Sequence, residues 1–96
     1  MDKTLYLTNL YDYYGELLTV KEKKYFQEYY FKNFSLSEIS DNTQVSKAAI
    51  SKEIKQAEKK LLNFEAILKE YEKSIKIKKI IKNLDETTKN KIEELL

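Results

Sequence analysis

The sequence predicts an all-α fold: a small helical bundle with a helix-turn-helix and a long C-terminal helical extension. Three observations predict it. The 96 residues include one Gly and no Pro, so the chain holds almost none of the residues that interrupt helices. A Ser or Thr followed three positions later by Glu occurs at Thr19 and again at Ser35. In that pattern the hydroxyl caps one helix-end amide and the carboxylate reaches back to another. From Ile50 onward the apolar residues recur alternately four and three positions apart, the spacing of one helix face.

The first helix is expected over Thr4 to Tyr14, where Leu7, Leu10, Tyr11 and Tyr14 share a face, and Gly15 ends it. The second begins at the Thr19 cap and runs to about Lys32, burying Phe26, Tyr29, Tyr30 and, at its start, Val20. The third opens at Ser35, carries Leu36, Ile39 and Ser40, and stops between Asp41 and Thr43, where short polar side chains compete for backbone hydrogen bonds. Asn42 to Gln44 is then a turn. Ser46 caps a fourth helix that the pattern does not interrupt until well past Phe64.

The fourth helix carries the stripe Ile50, Ile54, Ala57, Leu61, Phe64, Leu68, Tyr71 and Ile75, with the 3.5-residue period of a coiled-coil seam. Two accounts fit it. Either its first half packs on the first two helices and the rest continues over a neighbouring element, or Leu61, Phe64, Leu68, Tyr71 and Ile75 form a seam to a partner or to a second copy in a homodimer. Beyond it Ile77, Ile80, Ile81 and Leu84 make a further strip. Asp85 is placed to cap a terminal helix ending in Ile92, Leu95 and Leu96. Whether 73–82 continues the long helix or breaks from it is left open by the pattern. The expected division is residues 1–73 as the helix-turn-helix bundle, including the long fourth helix, and 74–96 as the C-terminal extension.

The residue types narrow the chemistry. With neither His nor Cys, the chain has no near-neutral proton shuttle, no thiolate and no ordinary zinc ligand set. Carboxylates and Lys are scattered along helix faces, with no Gly-rich loop or acidic cluster to organise them. The expectation is a protein that is not an enzyme and takes no cofactor and no metal. No segment approaches the roughly 18 apolar residues of a membrane span, and Met1-Asp2-Lys3 lacks the basic start and cleavage site of a signal peptide, so a cytoplasmic location is expected.

A helix-turn-helix needs a short helix, a tight turn, and a second helix whose apolar residues lock onto the first while its other face meets nucleic acid. Ile39, Val45, Ile50 and Ile54 have the locking offsets of six, five and four. The outward residues are then Ser46, Lys47, Ala48, Ser51, Lys52 and Lys55, which are the candidate nucleic-acid contacts. Charge agrees with this placement: residues 1–45 hold five Lys against seven acids, and residues 46–96 hold thirteen Lys against nine acids. All the cations are Lys, so there is no guanidinium fork for guanine. Binding of RNA or DNA is expected to rest on the phosphate backbone and to fall steeply with salt. A helix-turn-helix that serves only as scaffold for helical protein interaction is the alternative.

Several stretches resemble one family. Leu18-Thr19-Val20-Lys21-Glu22 with the Tyr29-Tyr30 pair, then Phe34-Ser35-Leu36-Ser37-Glu38-Ile39, Val45-Ser46-Lys47-Ala48-Ala49-Ile50, and Ile54-Lys55 with Glu58-Lys59, resemble in order the segments of YlxM-type helix-turn-helix proteins. Those proteins are associated with bacterial signal recognition particle genes and are similar to region four of sigma factors. The likeness covers about residues 4–70. It implies a regulatory or accessory protein of protein targeting, with nucleic acid or signal recognition particle components as partners, and no reaction. The sequence departs from the family pattern at Ser40, where Ala is usual, at Thr43, where a larger apolar residue is common, and at Lys47, where Arg is usual. Gln44 stands where Gly or Asn is favoured, and a left-handed residue there costs roughly 1 kcal/mol, so a looser turn is expected.

Overall fold

The structure, a computed structural model, describes residues 2–96; Met1, of the start Met1-Asp2-Lys3 that is expected not to be a signal peptide, lies outside them. Among the described residues there are six α-helices and no strand. Helix α1 (Lys3–Tyr14) starts at Asp2, whose carboxylate accepts the Thr4 amide, and it buries Leu7, Leu10 and Tyr14. Gly15 follows at φ −55°, in the right-handed region, so it ends the helix for a reason other than a left-handed cap. A Cβ there would lie 2.8 Å from the Tyr11 ring, which is itself stacked on Phe26 with centroids 4.8 Å apart. The chain then makes a short 3-10 turn, Gly15–Leu17.

Helix α2 (Val20–Phe26) begins on the expected reciprocal cap: the Thr19 hydroxyl accepts the Glu22 amide at 3.2 Å and the Glu22 carboxylate accepts the Thr19 amide at 2.8 Å. It passes into a π-helical segment, Gln27–Phe31, closed by the Lys32 amide donating to the Gln27 carbonyl. Burial here departs from the expectation. Phe26 is fully buried and Tyr30 half-buried, but Val20 is 83% exposed and Tyr29 39% exposed, while Tyr25 is buried. Val20 occupies the first helical position, ahead of the packed turns. The wider π turn rotates the residues after Phe26 about the axis, so Tyr30 rather than Tyr29 meets the core.

Helix α3 (Leu36–Thr43) carries a second reciprocal cap between Ser35 and Glu38, and it includes Asn42 and Thr43, so the turn is later and shorter than expected. Within this turn Gln44 alone is left-handed, at φ 60°. Rather than loosening, the turn is tied. The Ser40 hydroxyl donates to the Val45 carbonyl at 2.7 Å, the Thr43 hydroxyl to the Ile39 carbonyl at 2.7 Å, and the Gln44 amide side chain to the Asp41 carbonyl at 3.0 Å. Helix α4 (Lys47–Leu68) follows, with the Ser46 hydroxyl accepting the Ala49 amide at 3.1 Å.

Two apolar clusters form the core, and α4 runs through both. Ile50 and Ile54 join Tyr25 and Ile39, while Ala57 and Leu61 join Leu7, Leu10, Tyr14, Leu18 and Phe26. Tyr25 and Phe26, adjacent on a helix, serve one cluster each. Each fully buried Leu, Ile or Phe contributes about 1.5–3 kcal/mol of transfer free energy. Buried Glu22 lies between the clusters' helices, where Lys60 of α4 donates to it at 2.9 Å.

The long fourth helix ends sooner than its stripe. Lys69, at φ 55°, breaks it, and α5 (Glu70–Ile81) turns aside to pack on α1 and α4. A non-glycine residue there costs about 1–2 kcal/mol, and Lys69 provides no side-chain cap. The free amides at the start of α5 are satisfied from elsewhere. Glu70 donates to the Tyr14 hydroxyl at 3.0 Å, and Tyr71 and Glu72 donate to the Glu65 carboxylate at 3.2 and 3.0 Å. Tyr14 in turn donates to Glu65 at 2.6 Å. A carboxylate at a helix N-terminus also meets the positive end of the peptide dipoles. Helix α6 (Glu86–Glu93) is capped by Asp85, as expected, and contains no buried residue. The extents are 52 × 25 × 23 Å and the radius of gyration is 16.4 Å, against about 13 Å for a compact chain of this size, so the bundle is elongated.

Candidate nucleic-acid interface

The turn between α3 and α4 decides which face of α4 looks outward. Ile39, Ile50 and Ile54 are at most 4% exposed and Val45 is half-buried against them, so the locking set seats α4 on α3. The opposite face is left to solvent. Ser46, Lys47, Ala48, Lys52 and Lys55 are exposed and Ser51 is half-buried.

Four of these six residues line one open groove. Ala48, Ser51, Lys52 and Lys55, together with Gln56 and Lys59, bound a volume of about 470 Å³. Ser46 and Lys47 stand at the start of α4 outside that lining. Gln56 and Lys59 were absent from the sequence-derived set, although they continue the same three-and-four spacing from Lys52 and Lys55; following the helix face one turn further would have found them. Among the described residues none of Lys47, Lys52, Lys55 and Lys59 is in an ion pair. The first turn of α4 also contains no acidic residue, so its amide end reinforces the positive field.

One acid beside this face is held back. Glu58 accepts a hydrogen bond from the Tyr30 hydroxyl, which draws its carboxylate toward the π-helical segment. Burial, and then that hydrogen bond, push the Tyr30 phenol well above its ordinary range, so it remains a neutral donor. A smaller cavity of about 130 Å³ connects this pair to the lysine face, lined by Tyr29, Leu36, Ser51 and Lys55 among others. Such a surface suits a polyanion: several unpaired ammonium groups along a helix, with small side chains between them that allow close approach.

The second set of expected contact residues does not share one surface. Leu61 is fully buried in the intramolecular core, and Phe64 is half-buried beside Tyr14 with ring centroids 6.0 Å apart. Leu68 is 45% exposed at the end of α4. Tyr71 packs between Tyr6 and Tyr13 at centroid distances of 5.8 and 5.9 Å and accepts from the Asn9 side chain. Ile75 is half-buried beside a groove it lines with Tyr6 and Leu62. The seam is interrupted because Lys69 turns the chain. Of the strip Ile77, Ile80, Ile81 and Leu84, Ile81 alone is fully buried.

Among the described residues no group of three or more acidic side chains is arranged to hold a metal ion. No helix formed by them is long and apolar enough to cross a membrane.

The chain as a whole, residues 1–96, matches the UPF0122 family, described as "Putative helix-turn-helix protein, YlxM / p13 like". Similar relatives include the UPF0122 protein of Oceanobacillus iheyensis, 38% identical over 95% of this chain and 87% of its own length. A UPF0122 protein of Ureaplasma urealyticum is 45% identical over 78% of this chain and 76% of its own. One from Listeria monocytogenes is 38% identical over 98% of this chain and 94% of its own.

Proposed function

The chain belongs to the UPF0122 family of helix-turn-helix proteins, and from that premise we propose that it is a non-enzymatic nucleic-acid-binding accessory protein that grips phosphates with the outer face of α4. The observation that carries the reading is the row of unpaired lysines, Lys52, Lys55 and Lys59, along an open groove on the helix that the turn orients outward. Lys contacts position a backbone more than they read bases, so affinity that depends strongly on salt and weakly on sequence is the expected behaviour. The regulatory role in protein targeting, with signal recognition particle RNA or proteins as partners in the cytoplasm, rests on the likeness of about residues 4–70 to YlxM-type proteins.

A gel-shift titration against RNA and duplex DNA at two salt concentrations tests the reading. The double variant Lys47→Glu, Lys52→Glu is expected to bind more weakly and with a flatter salt dependence than wild type. Equal binding by both proteins at both salt concentrations would remove the proposal. Capture from cells, with the bound RNA and proteins identified, tests the targeting assignment separately.

A second reading, a helical module for protein interaction, is favoured by one observation. Leu62, Ile67 and Leu68, at 41, 77 and 45% exposed, leave an apolar surface at the end of α4. It predicts a partner helix or a second copy bound there, and binding unaffected by Lys47→Glu and Lys52→Glu.

A further inference from the structure

The apolar stripe and the path of the backbone disagree at Lys69. Leu61, Phe64, Leu68, Tyr71 and Ile75 keep the spacing of one continuous helix across a point where the helix stops. The connection is a single residue, it lacks Gly, it is left-handed at φ 55°, and it offers no cap of its own. What holds the break is tertiary: Tyr14 and Glu65 accept the Glu70, Tyr71 and Glu72 amides, which in an unbroken helix would bond to carbonyls four residues back. A strained one-residue hinge joining two elements that would otherwise form one helix favours exchange of the distal element between copies.

We propose that α5 and α6 form an exchangeable arm. When the hinge straightens, 47–81 becomes one helix and the arm leaves its own α1 to seat on α1 of a second copy. The receiving surface is the one the arm already occupies, with Tyr71 between Tyr6 and Tyr13 and bonded to Asn9. The occupant is thus specified by contacts present in the closed form. Ile67 and Leu68, exposed beside the hinge in the closed form, leave apolar surface there for the second copy to cover. Tyr14 and Glu65 act as the latch of the closed monomer. The inference is independent of the nucleic-acid reading, because none of these residues lies on the lysine face.

The chain has no Cys, so Gln56→Cys with Lys79→Cys places two spin labels and no others on exposed positions of α4 and α5. In a straight helix these 23 positions span about 34 Å at 1.5 Å per residue, and in the bent form they lie closer. Adding Glu65→Ala removes both latch oxygens of the carboxylate. The expected result is the longer distance together with a dimer in sedimentation at about a hundred micromolar, at least a tenfold shift in the monomer–dimer equilibrium. Tyr14→Phe, which keeps the ring in the core, shifts it the same way by less, and it keeps the test open if Glu65→Ala fails to fold. Lys69→Gly relieves the hinge and shifts it back toward monomer. A folded Tyr14→Phe or Glu65→Ala variant that keeps the wild-type distance overturns the proposal. So does a dimer with the short distance, or a monomer with the long one.

Discussion

Glu22 shows how one residue joins local and tertiary structure. Burial by itself would raise its carboxyl, but the Thr19 amide and the Lys60 ammonium outweigh it and hold the group below the ordinary glutamate range. A lowered folded value means the stabilisation is fully present above the unfolded pKa and is lost as pH falls through the folded one. Acid denaturation should therefore set in below about pH 4. Glu22→Ala is expected to lower stability by about 1–2 kcal/mol, through the lost reciprocal cap and the lost hydrogen bond from the partly exposed Lys60, and to flatten that acid limb in urea titrations followed by circular dichroism. At the alkaline end the sign reverses. Burial first, and then the hydrogen bond to Glu65, push Tyr14 up to about 12, so its contribution holds below pH 10 and is lost as pH rises toward 12. In a tyrosinate absorbance titration Tyr14 and Tyr30 are expected to ionise only with unfolding. Glu22 was legible as a cap from its spacing to Thr19. Its burial was not, because Lys60 is 38 positions away in the chain.

The helix-turn-helix turn was legible in its ends and less so in its middle. Ser35 and Ser46 cap where their sequence context places them, since a cap is decided within four residues. The turn itself depends on Ser40 and Thr43, whose hydroxyls could equally have faced water. Gln44→Gly is expected to raise stability by about 0.5–1 kcal/mol in thermal melts by relieving the left-handed strain, and Ser40→Ala to lower it by roughly 1 kcal/mol by freeing the Val45 carbonyl. Ile50→Ala removes a fully buried residue from the contact of α3 with α4 and should cost about 2–5 kcal/mol. Val20→Ala, at a position 83% exposed, should stay within about 0.5 kcal/mol. A reversal of that order would mean that the core is assigned to the wrong face.

Across the whole molecule, stability is expected to fall off toward the C-terminus. No residue of α6 is fully buried, and α6 follows an α5 in which only Ser74 and Ile81 are. Amide exchange should be fastest in α6 and slowest in α4 near Ile54 to Leu61, where both clusters meet. Removal of residues 83–96 should change unfolding free energy by no more than about 1 kcal/mol, while exchange in α4 stays slow. The sequence by itself determined the helical class, the capped starts at Thr19, Ser35, Ser46 and Asp85, the locking set Ile39, Ile50 and Ile54, and the lysine face opposite it. All of these follow from spacing on one helix or from hydrogen bonds spanning a few residues. Only the tertiary structure decided that α4 stops at Leu68, that Leu61 belongs to the core, and that α5 turns back onto α1. The turn at Lys69 rests on Tyr14 accepting the Glu70 amide, 56 positions further along the chain, and a helix-period pattern contains no term for such a contact.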